Sequence, residues 1–240
     1  MTSSPFLGEF IGTMLLIIMG DGVVANVVLN KTKGNNSGWI VITFGWAMAV
    51  FLGVYASNSL GGGGHLNPAV TIAMAAFNPD FDSSMMPTYI AAQFAGAITG
   101  AIIVWLAYKQ HFDATDDKDG KLAVFCTGPA IRNPVYNMIT EIIGTFVLVL
   151  GALAMSRPAS TLGTLDALPV ALLVLGIGLS LGGPTGYAIN PARDLGPRIA
   201  HFILPIKNKR DSDWGYSWIP VAGPVFGALI AAYLFKLIIP

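Results

Sequence analysis

The chain is 240 residues long, 54% hydrophobic and only 11% charged, with a formal net charge of zero. Water-soluble domains carry about 25% charged residues, so this composition excludes a fold whose whole surface faces water and points to a polytopic membrane protein. Balanced charge gives no basic surface for nucleic acid, and a single cysteine, Cys126, leaves no internal disulfide and no thiolate metal centre. The three histidines, His65, His111 and His201, are far apart with no ligand spacing, and no nucleophile–base set stands out, so no catalytic residue, metal or cofactor is expected.

Six segments reach or approach the roughly 20 apolar residues that span a hydrocarbon core about 30 Å thick: 6–29, 39–57, 88–108, 137–155, 164–181 and 217–239. The residues before the first, Met1-Thr2-Ser3-Ser4-Pro5, carry no positive charge, and the run itself contains Glu9, so it reads as a retained helix rather than a cleaved leader. Two further apolar runs, 68–77 and 191–204, are too short to span; at 1.5 Å per residue the first covers about 15 Å, half a bilayer. Each opens on Asn-Pro-Ala (Asn67-Pro68-Ala69 and Asn190-Pro191-Ala192) and ends near another proline, Pro79 or Pro205. Asparagine is a preferred N-cap and proline a preferred first helical residue. Both runs therefore read as re-entrant half-helices. Non-helical backbone at membrane depth is tolerated only in contact with protein or a water-filled cavity, so the loops before the two triplets imply a cavity. The stretch 109–132, which contains Asp113-Ala114-Thr115-Asp116-Asp117-Lys118-Asp119-Gly120-Lys121, reads as a polar, solvated connection.

The two halves repeat. Glu9-x-x-Gly12-Thr13 returns as Glu141-x-x-Gly144-Thr145 at an offset of 132 residues, Asn67 as Asn190 at 123, and Gly96-Ala97 as Gly227-Ala228 at 131. Residues 1–110 would form one repeat, 111–135 a connecting loop and 136–240 the second repeat. Three spans per repeat is an odd number, so the second enters from the opposite face, an inverted repeat that brings the two Asn-capped helix starts together at the midplane. The expected fold is all-α: six transmembrane helices plus two re-entrant half-helices.

The chemistry sits around those helix starts. The amides of Asn67 and Asn190 would donate into the cavity, and two positive helix ends at one place repel cations. The run Gly61-Gly62-Gly63-Gly64-His65 would extend with the carbonyls of Gly63, Gly64 and His65 aimed at the pore, with Ala188 as their counterpart in the second loop. Arg193, three residues after Asn190, is a five-donor fork at membrane depth, where charge is costly and points to function. Asp194 beside it suits the helix start, and Arg198 is expected to face a loop or headgroups. Glu9 and Glu141 admit two readings: a proton relay, or acceptors for the backbone N–H groups of the re-entrant loops, the second favoured by repeat symmetry. His65 likewise is either a proton carrier or a brace for loop backbone. The pairs Gly8/Gly12, Gly96/Gly100 and Gly223/Gly227 fit close helix packing.

In combination, the Glu-x-x-Gly-Thr helix starts, His65-Leu66-Asn67-Pro68-Ala69-Val70, Ala92-Gln93 with Gly96-Ala97, and Asn190-Pro191-Ala192-Arg193-Asp194 make the chain resemble the aquaporin superfamily, the major intrinsic proteins, over nearly its whole length. The resemblance implies an aromatic/arginine constriction composed here of Trp46, Gly178, Tyr187 and Arg193. Gly178 stands where water channels usually carry histidine, and Asp194 is typical of the glycerol branch, so the sequence is similar to the aquaglyceroporins. Tyr187 departs from the usual Phe and would add a polar contact or narrow the ring. Asp21, in Gly20-Asp21-Gly22, replaces an expected apolar residue and would face a vestibule or a neighbouring subunit.

The resemblance implies a passive channel for glycerol and other small neutral solutes (dihydroxyacetone, urea, protonated small acids), with some water, as a homotetramer in the plasma membrane. The alternatives are a water-selective channel and, from another class, a proton-coupled transporter using Glu9, Glu141, Asp21 and His65. Orientation divides the arguments. Arg157 and Lys236 lie on the side of the termini and nine Lys and Arg residues on the other, which would put the termini outside. The family places them in the cytoplasm, and that placement is the one adopted, because loop charge orients a symmetric repeat only weakly.

Overall fold

The computed structural model describes residues 4–155 and 163–238. The segment Met1-Thr2-Ser3, Arg157 of the charge count and the Ile239 end of the last span lie outside the described residues.

Helix α1 (Pro5–Val28) starts where the Ser4 hydroxyl accepts from the Leu7 N–H at 3.1 Å and Pro5 takes the first turn. Then come α2 (Trp39–Ser59), the half-length α3 (Pro68–Phe77), α4 (Met86–Ala107), two short helices α5 (Lys109–Ala114) and α6 (Lys118–Phe125), α7 (Pro134–Met155), α8 (Leu168–Leu181), the second half-length helix α9 (Pro191–Ile203) and α10 (Ile219–Ile238). There is no strand among the described residues.

Among the described residues, five helices are long and apolar enough to cross a membrane: α1, α2, α4 with the 3-10 turn that precedes it, α7 and α10. The sixth, α8, is shorter than the 164–181 span expected from the sequence. Its 14 residues cover about 21 Å. A separate 3-10 turn, Gly163–Leu165, precedes it, and Pro169 in its first turn suits a helix start better than an interior. With α8 the fold is an all-α membrane architecture of six membrane helices and two half-helices.

Packing repeats in pairs. Helix α1 lies against α4 and α2, and α7 lies against α10 and α8. Gly96 of α4 sits on the Phe10 carbonyl of α1, and Gly227 of α10 sits on the Ile142 carbonyl of α7; a Cβ at either would also meet a backbone nitrogen at 3.0 Å (Met14 and Phe146). No larger residue fits where these helix axes cross. The half-helices pack crosswise, α9 chiefly on α4 and α3 chiefly on α10. Each therefore presents its N-terminus to the middle of the molecule.

The connection 109–132 differs from the solvated loop expected of it. Asp117 caps α6 by accepting from Asp119 N at 3.0 Å. The helix buries Val124 and Phe125 completely, together with Lys121, whose Nζ donates to the Lys207 carbonyl at 2.7 Å. The Asp-rich composition reports only its outer side. Leu122, Val124 and Phe125 form the apolar face of a helix that folds back onto α1 and α9.

Candidate functional site

Asn67 and Asn190 cap α3 and α9. The Asn67 Oδ1 accepts from Ala69 N at 2.9 Å, and the Asn190 Oδ1 accepts from Ala192 N at 3.0 Å and Arg193 N at 3.2 Å. Their amide nitrogens do not simply point into open space. Asn67 Nδ2 donates to the Ile189 carbonyl at 2.8 Å, and Asn190 Nδ2 donates to the Leu66 carbonyl at 2.7 Å. Each cap thus stitches its helix to the opposite loop, and one of the two amide hydrogens remains for a solute. Pro68, Ala69, Pro191 and Ala192 are buried behind them as helix starts.

The loops that lead into these caps are strained. Leu66 has φ of 52°, Tyr187 of 41° and Ile189 of 44°. Positive φ is uncommon outside glycine and exceptional for a β-branched residue. Each loop is held by one buried carboxylate. Glu9 accepts from His65 N at 3.0 Å and Leu66 N at 2.7 Å, with Ser57 Oγ at 3.0 Å and Gln93 Nε2 at 2.7 Å completing it. Glu141 accepts from Ala188 N at 3.0 Å, Ile189 N at 2.8 Å and Thr185 Oγ1 at 2.7 Å. Charge-assisted hydrogen bonds of this kind offset loop strain of about 1–3 kcal/mol per residue. The His65 ring shares a hydrogen bond with Thr71 Oγ1 at 3.1 Å and packs between Phe81 and Tyr89.

These loops line a cavity of about 160 Å³ together with Trp46 and Arg193, room for several waters in file. Its lining combines apolar side chains, Leu16, Val50, Val54, Val70, Leu148 and Val174, with residues 64–67 and 188–190, the two asparagines among them, and Arg193. The carbonyls of Gly64, His65 and Ala188 accept from no described residue. Gly63 is not in the lining; it lies against the Tyr89 ring. The four glycines do not run straight either. Gly61 and Gly64 have φ of 87° and 65°, and Gly62 N donates to the Ser57 carbonyl at 2.9 Å, so the run first closes the end of α2 and only then turns into the cavity.

At one end of the cavity the Arg193 guanidinium lies over the Trp46 ring, with Cζ 4.0 Å from the centroid. This is cation–π distance for a largely desolvated pair. Arg193 Nη1 donates to the Phe125 carbonyl at 3.3 Å, which brings α6 into the site. Gly178 does not line the cavity. Its role is spatial: a Cβ there would stand 2.9 Å from both Tyr187 Cζ and Thr43 Cγ2. Absence of a side chain at 178 is what seats the Tyr187 ring. Trp39, which sequence reasoning did not single out, braces the same corner. Its Nε1 donates to the Gly178 carbonyl at 3.0 Å, and its ring meets Tyr187 edge-on at 5.8 Å. The Tyr187 hydroxyl is buried without a hydrogen-bond partner among the described residues, so it offers the cavity a ring rather than a polar contact.

Asp194 faces away from the cavity. Its Oδ2 accepts from Thr127 N at 2.8 Å and Thr127 Oγ1 at 2.7 Å, and its Oδ1 pairs with Arg198 at 2.8 Å. Arg198 also donates to the carbonyls of Ser212 at 2.7 Å and Thr127 at 2.9 Å and is fully buried. It meets loops, as expected, but is shut off from headgroups by them. Asp21 faces neither a vestibule nor the outer surface of the chain. It is buried beside Arg193, with Oδ1 3.7 Å from Nη1. Nothing in the order of residues pairs two positions 172 apart.

Comparison with known proteins agrees with this geometry. The family model described as Major intrinsic protein matches residues 2–235. The chain is 59% identical to a probable glycerol uptake facilitator protein of Thermotoga maritima, over 97% of this chain and 98% of that one. It is 56% identical to a glycerol uptake facilitator protein of Streptococcus pneumoniae, over 98% and 99%. Among solved structures, the aquaglyceroporin from Plasmodium falciparum superposes with a TM-score of 0.86 at 31% identity, covering 98% of this chain and 96% of that one. A family match across almost the full length, on a fold of paired membrane helices and two opposed half-helices, places this chain in the major intrinsic protein family.

Proposed function

We propose that the protein is a passive channel of the plasma membrane that facilitates diffusion of glycerol and other small neutral solutes, such as dihydroxyacetone, urea and protonated small acids, together with some water. The observation that carries this reading is the mixed lining of the cavity. Aliphatic side chains stand in it together with carbonyl acceptors and the donors of Asn67, Asn190 and Arg193. A polyol has the same mixture, carbon on one edge and hydroxyls on the other. Trp46 and Tyr187 form the apolar corner of the constriction, Gly178 leaves it wide, and Arg193 receives the hydroxyl oxygens. A solute entering this file exchanges water hydrogen bonds for protein ones step by step, so it crosses without a large desolvation barrier. Two helix N-termini, each equivalent to about half a positive charge, repel cations at the centre.

Residues 1–110 and 136–240 act as inverted repeats joined by 111–135, the termini face the cytoplasm, and the working unit is a homotetramer with one pore in each subunit. Glu9 and Glu141 serve the loops rather than a proton path. The names of the relatives and the bonding of both carboxylates to loop N–H groups support this assignment.

The test is swelling of proteoliposomes with no pH gradient. Vesicles shocked with glycerol should shrink and then reswell rapidly, whereas vesicles shocked with sorbitol should only shrink. Shrinkage without reswelling in glycerol would identify a water channel and remove the role given to Gly178. Flux that needs a proton gradient would identify a transporter.

A further inference from the structure

Helix α1 carries a carboxylate that the conduction path leaves unexplained. Asp21 is completely buried, and neither of its oxygens has a hydrogen-bond partner among the described residues. An ionised carboxylate in such a place needs a compensating charge. The only cation paired with it among the described residues is Arg193, whose Nη1 stands 3.7 Å from Oδ1. That separation is an ion pair without a hydrogen bond; the same Nη1 donates to the Phe125 carbonyl instead. Asp21 is absent from the cavity lining, while Arg193 belongs to it. The guanidinium is therefore held between the Trp46 ring and the Phe125 carbonyl, with the Asp21 carboxyl group 3.7 Å from Nη1 and outside the cavity lining. Gly20 gives the reason α1 can come this close, because its Cα packs directly on the Trp46 ring with no room for a Cβ. The neighbouring pair Asp194–Arg198 is already balanced at 2.8 Å and leaves Asp21 as the counterion of Arg193 alone.

We propose that Asp21 is a positioning and specificity-determining residue of the constriction: it neutralises Arg193 from the side away from the cavity, so that the narrowest point presents hydrogen-bond donors without a net positive charge. An unbalanced arginine in a low-dielectric constriction attracts small anions. A balanced one keeps its donors for hydroxyls and gives anions no gain for losing their water. The pore then excludes cations at the two helix starts and anions at the arginine. This inference rests on the reading of Arg193 as the constriction arginine.

The experiment compares chloride entry, followed by a halide-quenched dye in proteoliposomes with potassium and valinomycin for charge balance, with glycerol reswelling in the same vesicles. Asp21→Asn keeps the shape and removes the charge. It should raise chloride entry relative to glycerol by about tenfold or more, whereas Asp21→Asn combined with Arg193→Leu should return chloride entry to the wild-type level. Chloride entry in Asp21→Asn equal to wild type, with glycerol reswelling retained, would overturn the proposal. A stability cycle covers the case in which Asp21→Asn does not fold. Arg193→Leu alone should lower the melting temperature in detergent by about 5 °C or more by stranding the carboxylate, and adding Asp21→Leu should recover most of that loss. Additive losses in the cycle would also overturn it. Failure of the constriction reading looks different: Arg193→Leu would then leave the preference for glycerol over sorbitol unchanged, whatever Asp21 does.

Discussion

Gly178 and Tyr187 act as one unit, because the space that the glycine leaves is the space that the ring fills. Adding a side chain at 178 closes the pore indirectly. Gly178→His must displace a ring whose Cζ would otherwise stand 2.9 Å from the new Cβ, and that ring already belongs to the cavity lining. Glycerol permeability should fall by about tenfold or more while water still passes, a steric discrimination of ordinary size; paired glycerol and water fluxes on the same vesicles measure it. Tyr187→Phe should behave in the opposite way. The hydroxyl is buried and unpartnered, so removing it should leave glycerol flux near wild type and leave stability unchanged or raised by about 1 kcal/mol. A clear loss of flux in Tyr187→Phe would mean that the hydroxyl reaches the solute. Glu141→Gln tests the carboxylates. Glutamine keeps one acceptor where Ala188 N, Ile189 N and Thr185 Oγ1 need two oxygens. The cost should be about 1–3 kcal/mol in thermal denaturation, with flux per folded molecule still independent of a pH gradient.

At the level of elements, the half-helices were readable because their signals are local. Asparagine caps them, proline opens them, and each run is too short to span. The spans were readable from apolar length, except that α8 begins at Leu168, since Pro169 favours a start over an interior and length alone does not register it. What could not be read was assembly at a distance. Phe125 and Thr127 contact Arg193 and Asp194 across 68 and 67 residues, and no periodicity in a polar connection announces that. The one available signal was Asp117 as an N-cap followed by Leu122, Val124 and Phe125, a short amphipathic helix in a stretch that composition marks as solvated. The bond network between this connection and α9 yields its own prediction. Asp194→Ala would strand Arg198, which is fully buried, and release Thr127. Breaking a buried pair on one side costs about 3–5 kcal/mol, so the variant should give little folded protein, or a sharply lowered melting temperature in detergent. A variant as stable as wild type would show that the connection is not anchored through Asp194.

For the whole molecule, the pairing of α1 with α4 and of α7 with α10 around two crossed half-helices leaves a cavity with a polar strip in its lining. The repeated motifs foreshadowed that strip, and the structure locates its parts. Asn67 and Asn190 lock the two loops to each other, Glu9 and Glu141 accept from the loop N–H groups, and the Arg193 guanidinium lies over the Trp46 ring in a lining that also holds Tyr187. The neighbour of Arg193 was not legible, because Asp21 looks like an isolated defect in an apolar helix until the fold sets it beside that arginine. As proposed above, this strip is a passive route sized for a small polyol. Stopped-flow light scattering of proteoliposomes, shocked with glycerol and then with sorbitol at equal pH on both sides, tests it most directly. Fast shrinkage followed by fast reswelling in glycerol, and shrinkage alone in sorbitol, is the predicted result; fast shrinkage in both with no reswelling in glycerol would contradict it.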